Sequence, residues 1–187
     1  DVDTGQELCS GNSEACSSWH GTQVGSIIAG WAASDQANTV IGIAPRVKLL
    51  AVRSLGPDGG SSSELARAIN YSAGTAISGV TTNAHPADVI NISMGTSDPK
   101  PCYADDPVYI AIQAARAKGI IFVTAAGNFG YGVNPMKAAD SYPGNCYGTI
   151  NVGATNSEGT AAYYSNFGLG VDISAPGGDD RVTTDTP

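Results

Sequence analysis

Two polar side chains stand where a reaction could use them. His20 opens the run Trp19-His20-Gly21-Thr22-Gln23-Val24-Gly25-Ser26-Ile27-Ile28-Ala29-Gly30. Val24, Ile27 and Ile28 recur at helical spacing, so the run predicts a buried helix with the imidazole at its mouth. An imidazole there can take and return a proton near neutral pH. The plainer alternative is a histidine satisfied at the start of a core helix. Asn128 closes Ala125-Ala126-Gly127-Asn128, directly behind the apolar run Ile120-Ile121-Phe122-Val123-Thr124. An amide at a strand end can donate a hydrogen bond into a cleft, and asparagine is also an ordinary turn residue. Four cysteines, at 9, 16, 102 and 146, have neither Cys-x-x-Cys spacing nor a zinc-like pattern with histidine. Their even number suits two disulfides in an oxidising compartment. Three pairings are open. Cys9–Cys16 with Cys102–Cys146 is preferred, because the first pair lies within one polar loop.

These side chains need a scaffold, and the chain is long enough to supply one. Its 187 residues are 42% hydrophobic and 14% charged, a globular composition with a real core. Asp and Glu number 17 against 9 Lys and Arg, a net charge of -8. No basic stripe is present, which argues against nucleic acid as a partner. No stretch reaches the roughly 18 apolar residues of a membrane span. No secretory leader is seen, so the chain is either cytosolic or already processed, and the cysteines favour a processed, secreted protein.

The elements follow from pattern. The first helix is expected from about His20 to Ala33. Val47-Lys48-Leu49-Leu50-Ala51-Val52 reads as a short buried strand. After the turn Pro57-Asp58-Gly59-Gly60, one of Ser61, Ser62 or Ser63 caps a helix with Glu64 in its first turn. Leu65, Ala68, Ile69 and Ser72 would be its buried face. Asp88–Ser93, Ile120–Thr124, Thr149–Gly153 and Val171–Ser174 read as strands. Asp105 or Asp106 with Pro107 starts a helix that Gly119 stops. Continuous apolar strands alternating with helices predict one α/β domain, a parallel sheet covered on both faces. Function in such a sheet collects at the carboxyl ends of its strands, at Ser54–Gly56, Ser93–Gly95 and Ala125–Asn128. No Gly-x-Gly-x-x-Gly or Walker-type loop is present.

In this order the blocks resemble the subtilisin-like serine peptidases, from about Trp19 to Gly177. His20-Gly21-Thr22-Gln23-Val24-Gly25 is similar to the family's His-Gly-Thr-His-Val-Ala, with Gln23 replacing the second histidine. Gly42–Pro45, Val52–Gly56, Val89–Gly95, Ala125–Asn128, Ser141–Pro143, Val152–Thr155, Tyr164–Gly168 and Val171–Gly177 follow in family order. The resemblance implies a three-layer α/β fold, a parallel sheet with helices on both faces, here incomplete. It implies that His20 is the general base and Asn128 the oxyanion donor. It makes Gly59, Gly60, Ser61 and Ser93, Met94, Gly95 the two backbone edges that hold a peptide. Ala125, Ala126 and Gly127 would line a pocket for a large apolar residue before the scissile bond. Tyr142-Pro143 would lie near it, where the family often has a cis bond.

Two members of the catalytic triad are not visible. No Gly-Thr-Ser-Met-Ala-like run follows the last block, and Ser97, in Gly95-Thr96-Ser97-Asp98, reads as a loop serine. Asp3-Thr4-Gly5 matches the end of the family's aspartate block, but only Asp1 and Val2 precede it. It also lies closer to His20 than the resemblance calls for. The polar loop could equally carry a calcium ligand through Asp1, Asp3 or Glu7, as could Asp179 and Asp180.

The expectation is therefore a secreted serine endopeptidase represented by residues 1–187 of a single domain. Its first strand and nucleophile segment lie outside the chain, and its aspartate and serine come from elsewhere. The alternative is a catalytically inactive peptide-binding relic. Neither reading requires a cofactor for the chemistry, and structural calcium could be present. The expected partner is a peptide or protein substrate, with no nucleic acid and no membrane. Truncated apolar surface would favour self-association.

Overall fold

The computed structural model describes residues 19–31, 41–56 and 59–179. The chain divides into two compact units, Asp1–Glu64 and Leu65–Pro187.

In the first unit, α1 spans His20–Ala29 and stops at Gly30, short of the expected Ala33. It buries none of its residues, and Ile27 is exposed. The expected buried helix is therefore corrected. Its apolar spacing is real, but Val24 and Ile28 are only half covered. Glycine and alanine elsewhere on the helix offer little side-chain area to bury. The helix end is satisfied by the chain that returns beside it. Gly42, Ile43 and Ala44 donate to the carbonyls of Gly30, Ile27 and Ile28 at 2.8, 3.0 and 2.8 Å. These are carbonyls that a helix end leaves without an internal donor.

The return strap needs glycine at 42. A methyl group there would meet the backbone nitrogens of Gly30 and Ala29, and would lie 2.7 Å from the Ile28 carbonyl carbon. Backbone cannot swing aside as a side chain can. Gly42→Ala should therefore cost about 3 kcal/mol and free the last turn of α1. Hydrogen exchange at the Gly42–Ala44 amides checks this; unchanged protection would refute it.

Residues 47–52 do not form the expected strand. Val47, Leu49 and Leu50 are exposed and no ladder joins this segment. An apolar run shows only that a segment is suited to a sheet; a partner must still supply the ladder bonds.

Helix α2, Ser62–Ser72, leads into the second unit. Ser61 is its cap. The Ser61 hydroxyl accepts from Glu64 N–H at 3.2 Å, and Glu64 Oε2 accepts from Ser61 N–H at 2.7 Å. This reciprocal box settles which of the three serines starts the helix. The Ser61 N–H, then its hydroxyl, hold the Glu64 carboxyl below its usual range. Leu65, Ala66, Ile69 and Ser72 are the buried positions, so Ala66 takes the place expected for Ala68.

The second unit is a four-stranded, wholly parallel sheet in the order β1-β2-β3-β4. Its strands are Val89–Ile92, Ile121–Ala125, Thr149–Thr155 and Ile173–Pro176. Helix α3, Pro107–Arg116, makes the crossover from β1 to β2. Pro107 occupies its first turn, and Asp106 caps it by accepting from Val108 N–H at 2.9 Å. Gly119, at φ 89°, turns the chain out of the helix into β2.

Register decides which face each strand presents. Ile90 pairs with Phe122 and Ile92 with Thr124, all buried. Ile90, Ile92 and Phe122 join Leu65 and Ile69 of α2 and Val108 and Ile112 of α3 in one core. The alternate row faces the other way. Val89 and Ile121 are 53% and 50% exposed, and Ile150 and Ile173 are also exposed. Helices of this unit thus cover one face of a parallel sheet, a class that normally has both faces covered.

Candidate active site

His20 is the first residue of α1 and is exposed. Before it, Trp19 takes the left-handed conformation, φ 54° and ψ 18°, rare for a bulky side chain. Trp19 O accepts from Gln23 N–H at 2.9 Å, so the strained residue still opens the helix ladder. The first expected peptide edge lies in the same unit. Gly56 and Gly59 exchange backbone hydrogen bonds of 2.8 and 3.2 Å, with Gly59 at φ 95°. Gly60 lies against Leu55 and the Ser54 carbonyl, where a methyl would come within 2.8 Å of that oxygen. Gly59, Gly60 and Ser61 thus form a short exposed segment that runs into the Ser61–Glu64 cap.

The second unit assembles the other expected residues at the carboxyl ends of β1 and β2. Ser93, Met94 and Gly95 leave β1, and Asn91 Nδ2 donates to Ser93 Oγ at 2.8 Å. Ala125 ends β2, followed by buried Ala126, then Gly127 and Asn128. Both segments converge on Ser141. A methyl at Gly95 would lie 3.5 Å from Ser141 Oγ, and one at Gly127 2.8 Å from it. Ser141 Oγ and Asn166 Nδ2 are both buried and have no hydrogen-bond partner among the described residues. Gly127 has φ 103°, so it serves by both backbone conformation and lack of a side chain.

Asn128 is exposed and is held from both sides by one residue. Asn166, 1% exposed, donates from its backbone N–H to Gly127 O at 3.0 Å. Its side-chain Oδ1 accepts from Phe129 N–H at 2.7 Å. Gly130 N–H donates to Tyr164 O at 3.0 Å just beyond. The peptide units before and after Asn128 are therefore fixed to a buried asparagine of the 156–172 connection. Asn166 lies inside the Tyr164–Gly168 block, where nothing in the local sequence marks it for this role.

A second anchor holds the Ser93–Gly95 edge. Tyr142 O accepts from Thr96 N–H at 3.0 Å, and the Tyr142-Pro143 bond is cis. The buried Tyr142 ring carries Lys100 Nζ 3.5 Å from its centroid, and its hydroxyl donates to Asp106 Oδ1 at 2.6 Å. Asp106 Oδ2 lies 3.3 Å from Lys100 Nζ. Cys102 and Cys146 are bridged beside this cluster, as expected from sequence. The bridge spans 44 residues, a loop whose closure contributes about 3–4 kcal/mol in the chain-entropy account.

Burial works to raise the Asp106 pKa, but hydrogen bonds from Tyr142 and Val108 and the bonded charge of Lys100 outweigh it. The carboxyl is held below 3.8. A lowered folded value means that Asp106 stabilises fully above pH 3.8. That contribution is lost as pH falls below 3.8 toward the folded pKa. Asp106→Asn should flatten this acid limb and lower stability near neutral pH by about 1–2 kcal/mol. Urea midpoints measured from pH 2.5 to 7 check this; an unchanged acid limb would refute it.

Ser97 lies in the exposed bend after β1, its hydroxyl 3.3 Å from Asp98 Oδ2, and it does not open a helix; the next helix, α3, starts at Pro107. Asp3, Cys9, Cys16, Asp1, Glu7 and Asp180 lie outside the described residues. Among the described residues, no three His, Cys, Asp or Glu side chains converge as a metal site would need. No helix among them is long and apolar enough to cross a membrane.

Comparison with known proteins decides what this constellation belongs to. The profile described as the subtilase family matches residues 6–187. The chain belongs to the subtilase family. It is 42% identical over 171 residues to an extracellular protease of Xanthomonas campestris pv. campestris, covering 91% of this chain and 28% of that protein. An extracellular basic protease of Dichelobacter nodosus is 34% identical, with 90% and 26% covered. Among solved structures, a protease of Pseudoalteromonas arctica aligns at a TM-score of 0.67 with 39% identity. That alignment covers 74% of this chain and 38% of the other. This subtilase chain thus spans about a quarter of the length of these two curated relatives. Its parallel sheet and helices are the subtilisin-like α/β fold, present in part.

Proposed function

We propose that this chain carries the general base and the oxyanion donor of a serine endopeptidase acting by acyl transfer. The observation that carries the reading is the Asn128 loop. It leaves the end of β2 beside the Ser93–Gly95 edge, and Asn166 fixes the peptide units on both sides of Asn128. A hydrogen-bond donor held this way is already oriented when negative charge develops on a carbonyl oxygen.

In the proposed reaction, a serine oxygen attacks the substrate carbonyl carbon while His20 takes the serine proton. The carbonyl oxygen becomes an oxyanion that accepts from the Asn128 amide. Collapse of the tetrahedral species breaks the peptide C–N bond, and His20 returns its proton to the leaving amine. Water then attacks the acyl-serine by the same route, releasing the acid. All the participating groups are amino acid side chains, so the reaction needs no cofactor. The serine and the aspartate that orients His20 are assigned to segments outside these residues; Asp3 is the literal candidate within them.

Gly59-Gly60-Ser61 and Ser93-Met94-Gly95 would hold the substrate as an added strand, with Ala125, Ala126 and Gly127 lining the pocket before the bond. A large apolar residue is the expected occupant. Residues 1–187 would form part of one peptidase domain, and its further chain would cover the apolar sheet face around Val89, Ile121, Ile150 and Ile173. In isolation, that face would drive self-association. Secretion is inferred from the relatives named extracellular proteases.

The test uses the full gene product that carries this chain. It is incubated with a chromogenic peptide bearing Phe or Leu before the bond, with and without a fluorophosphonate. Hydrolysis blocked by the reagent is expected. Hydrolysis that survives full exposure to the reagent, or no hydrolysis of any peptide, would overturn the proposal. Labelling of the isolated 187-residue chain at Ser97 would overturn the assignment of the nucleophile to another segment.

A further inference from the structure

Among the described residues, Trp19 is the one non-glycine residue with a positive φ. Every other left-handed position among them, from Gly59 to Gly178, is glycine. The exception stands directly before His20, the residue assigned as base. At φ 54° and ψ 18° it occupies the left-handed helical well, where a side chain crowds the following carbonyl oxygen. Strain of this kind persists only when the surroundings hold it, and it collects at functional sites.

The ordinary reasons for a residue at this place do not account for Trp19. A helix cap takes extended backbone and offers a side-chain oxygen to a first-turn N–H. Trp19 is not extended, its indole can only donate, and it makes no side-chain cap bond. It is not a core residue either, being 46% exposed. Its backbone instead sets how the chain enters α1. Trp19 O accepts from Gln23 N–H at 2.9 Å, so the helix ladder begins at the strained residue. The Ser26 hydroxyl donates to Gln23 O at 2.8 Å, which ties the next turn to the first. At the far end, the Gly42–Ala44 strap holds the last turn. Relaxation at residue 19 therefore cannot be taken up by shifting the whole helix.

The Cα–Cβ bonds of a helix lean toward its N-terminus, so the imidazole of the first residue projects past the helix end. It stands next to the joint at residue 19, and His20 is exposed there. An extended backbone at residue 19 would bring the chain into the helix from another direction. It would also turn the peptide plane that carries His20.

We propose that Trp19 is a positioning residue for the base. Its left-handed backbone aims His20, and its half-covered side chain keeps the backbone in that well. The proposal rests on the peptidase reading above, and Trp19 acts through His20 instead of on the reacting atoms.

The experiment uses the full gene product with Trp19→Gly, Trp19→Asn, Trp19→Phe and Trp19→Val. Glycine enters the left-handed well freely and asparagine at small cost, whereas valine, branched at Cβ, suits it least. The Gly and Asn variants are expected to keep kcat within about threefold of the unaltered protein. Trp19→Val should lower kcat by about tenfold or more with KM little changed, because a misaimed base slows the step without weakening peptide binding. Thermal melts on the same preparations, with kinetics taken well below the lowest midpoint, separate this loss from unfolding. Should the valine variant not fold, Trp19→Ala replaces it, with the same loss in smaller measure. Equal kcat for the Gly and Val variants would overturn the proposal. If both are unchanged, residue 19 has no part in the reaction. If both are lowered and Trp19→Phe restores activity, the ring and not the backbone is responsible. A rise in KM at constant kcat would make Trp19 a peptide contact and overturn the positioning role as well. Each of these outcomes leaves the peptidase reading standing. If the unaltered protein cuts no peptide, that reading fails and this proposal fails with it.

Discussion

His20→Ala in the full gene product is expected to lower kcat for peptide hydrolysis by on the order of 10⁶, the scale known for this family's catalytic histidine. The reason is chemical. Without an imidazole, the serine hydroxyl must lose its proton to water, and the leaving amine has no acid to receive one from. KM should change far less, because His20 is assigned to proton transfer and not to holding the peptide. His20 is the exposed first residue of α1 and is not among the core residues, so the variant should fold. Steady-state kinetics with thermal melts on the same preparation check both statements. Retained full activity would remove His20 from the role of base.

The second large effect is at Asn128, the proposed oxyanion donor. Asn128→Ala should lower kcat by about 10²–10³, the scale known for the corresponding asparagine of this family. Asn166 makes that prediction sharper. Removing its side chain leaves the Phe129 N–H without its acceptor and releases one side of the Asn128 loop. Asn166→Ala should therefore reduce kcat by roughly tenfold or more while KM stays nearly constant. The decisive comparison is the double variant. If Asn166 acts by positioning Asn128, Asn128→Ala/Asn166→Ala should be no slower than Asn128→Ala alone. Independent, multiplying losses would show that Asn166 serves general stability instead.

The same two residues show how far a linear reading reaches. Asn128 was legible because its signal is local. An apolar run, two alanines and a glycine precede it, and such a run ends at the carboxyl edge of a parallel sheet. Asn166 carried no such signal. Its importance lies in hydrogen bonds to Gly127 and Phe129, 37 residues before it in the latter case, and no pattern around residue 166 announces them. Asp106 was half legible. The Asp-Asp-Pro run made it one of two candidates for the helix start, with Asp105, but did not show it as the partner of the Tyr142 hydroxyl and Lys100. The misread segment at 47–52 illustrates the converse. Its apolar residues satisfy the pattern for a strand, yet none of them is in a ladder.

The sequence by itself determined the approximate strands and helices of the second unit, the Ser61 and Asp106 caps within narrow alternatives, and His20 and Asn128 as chemical candidates, and it left Cys102–Cys146 as the preferred of three pairings. Each follows from side-chain periodicity, backbone preference or the fixed reactivity of a residue type, properties a residue carries with its near neighbours. Only the tertiary structure decided the rest: that α1 buries none of its residues, that Val89, Ile121, Ile150 and Ile173 on one row of the sheet are exposed, that Asn166 clamps the Asn128 loop, and that three tyrosines and Asp179 make a cleft beside it. These depend on which distant segments meet. Such meetings are set by the packing free energy of the whole chain, to which each local pattern contributes only a small part.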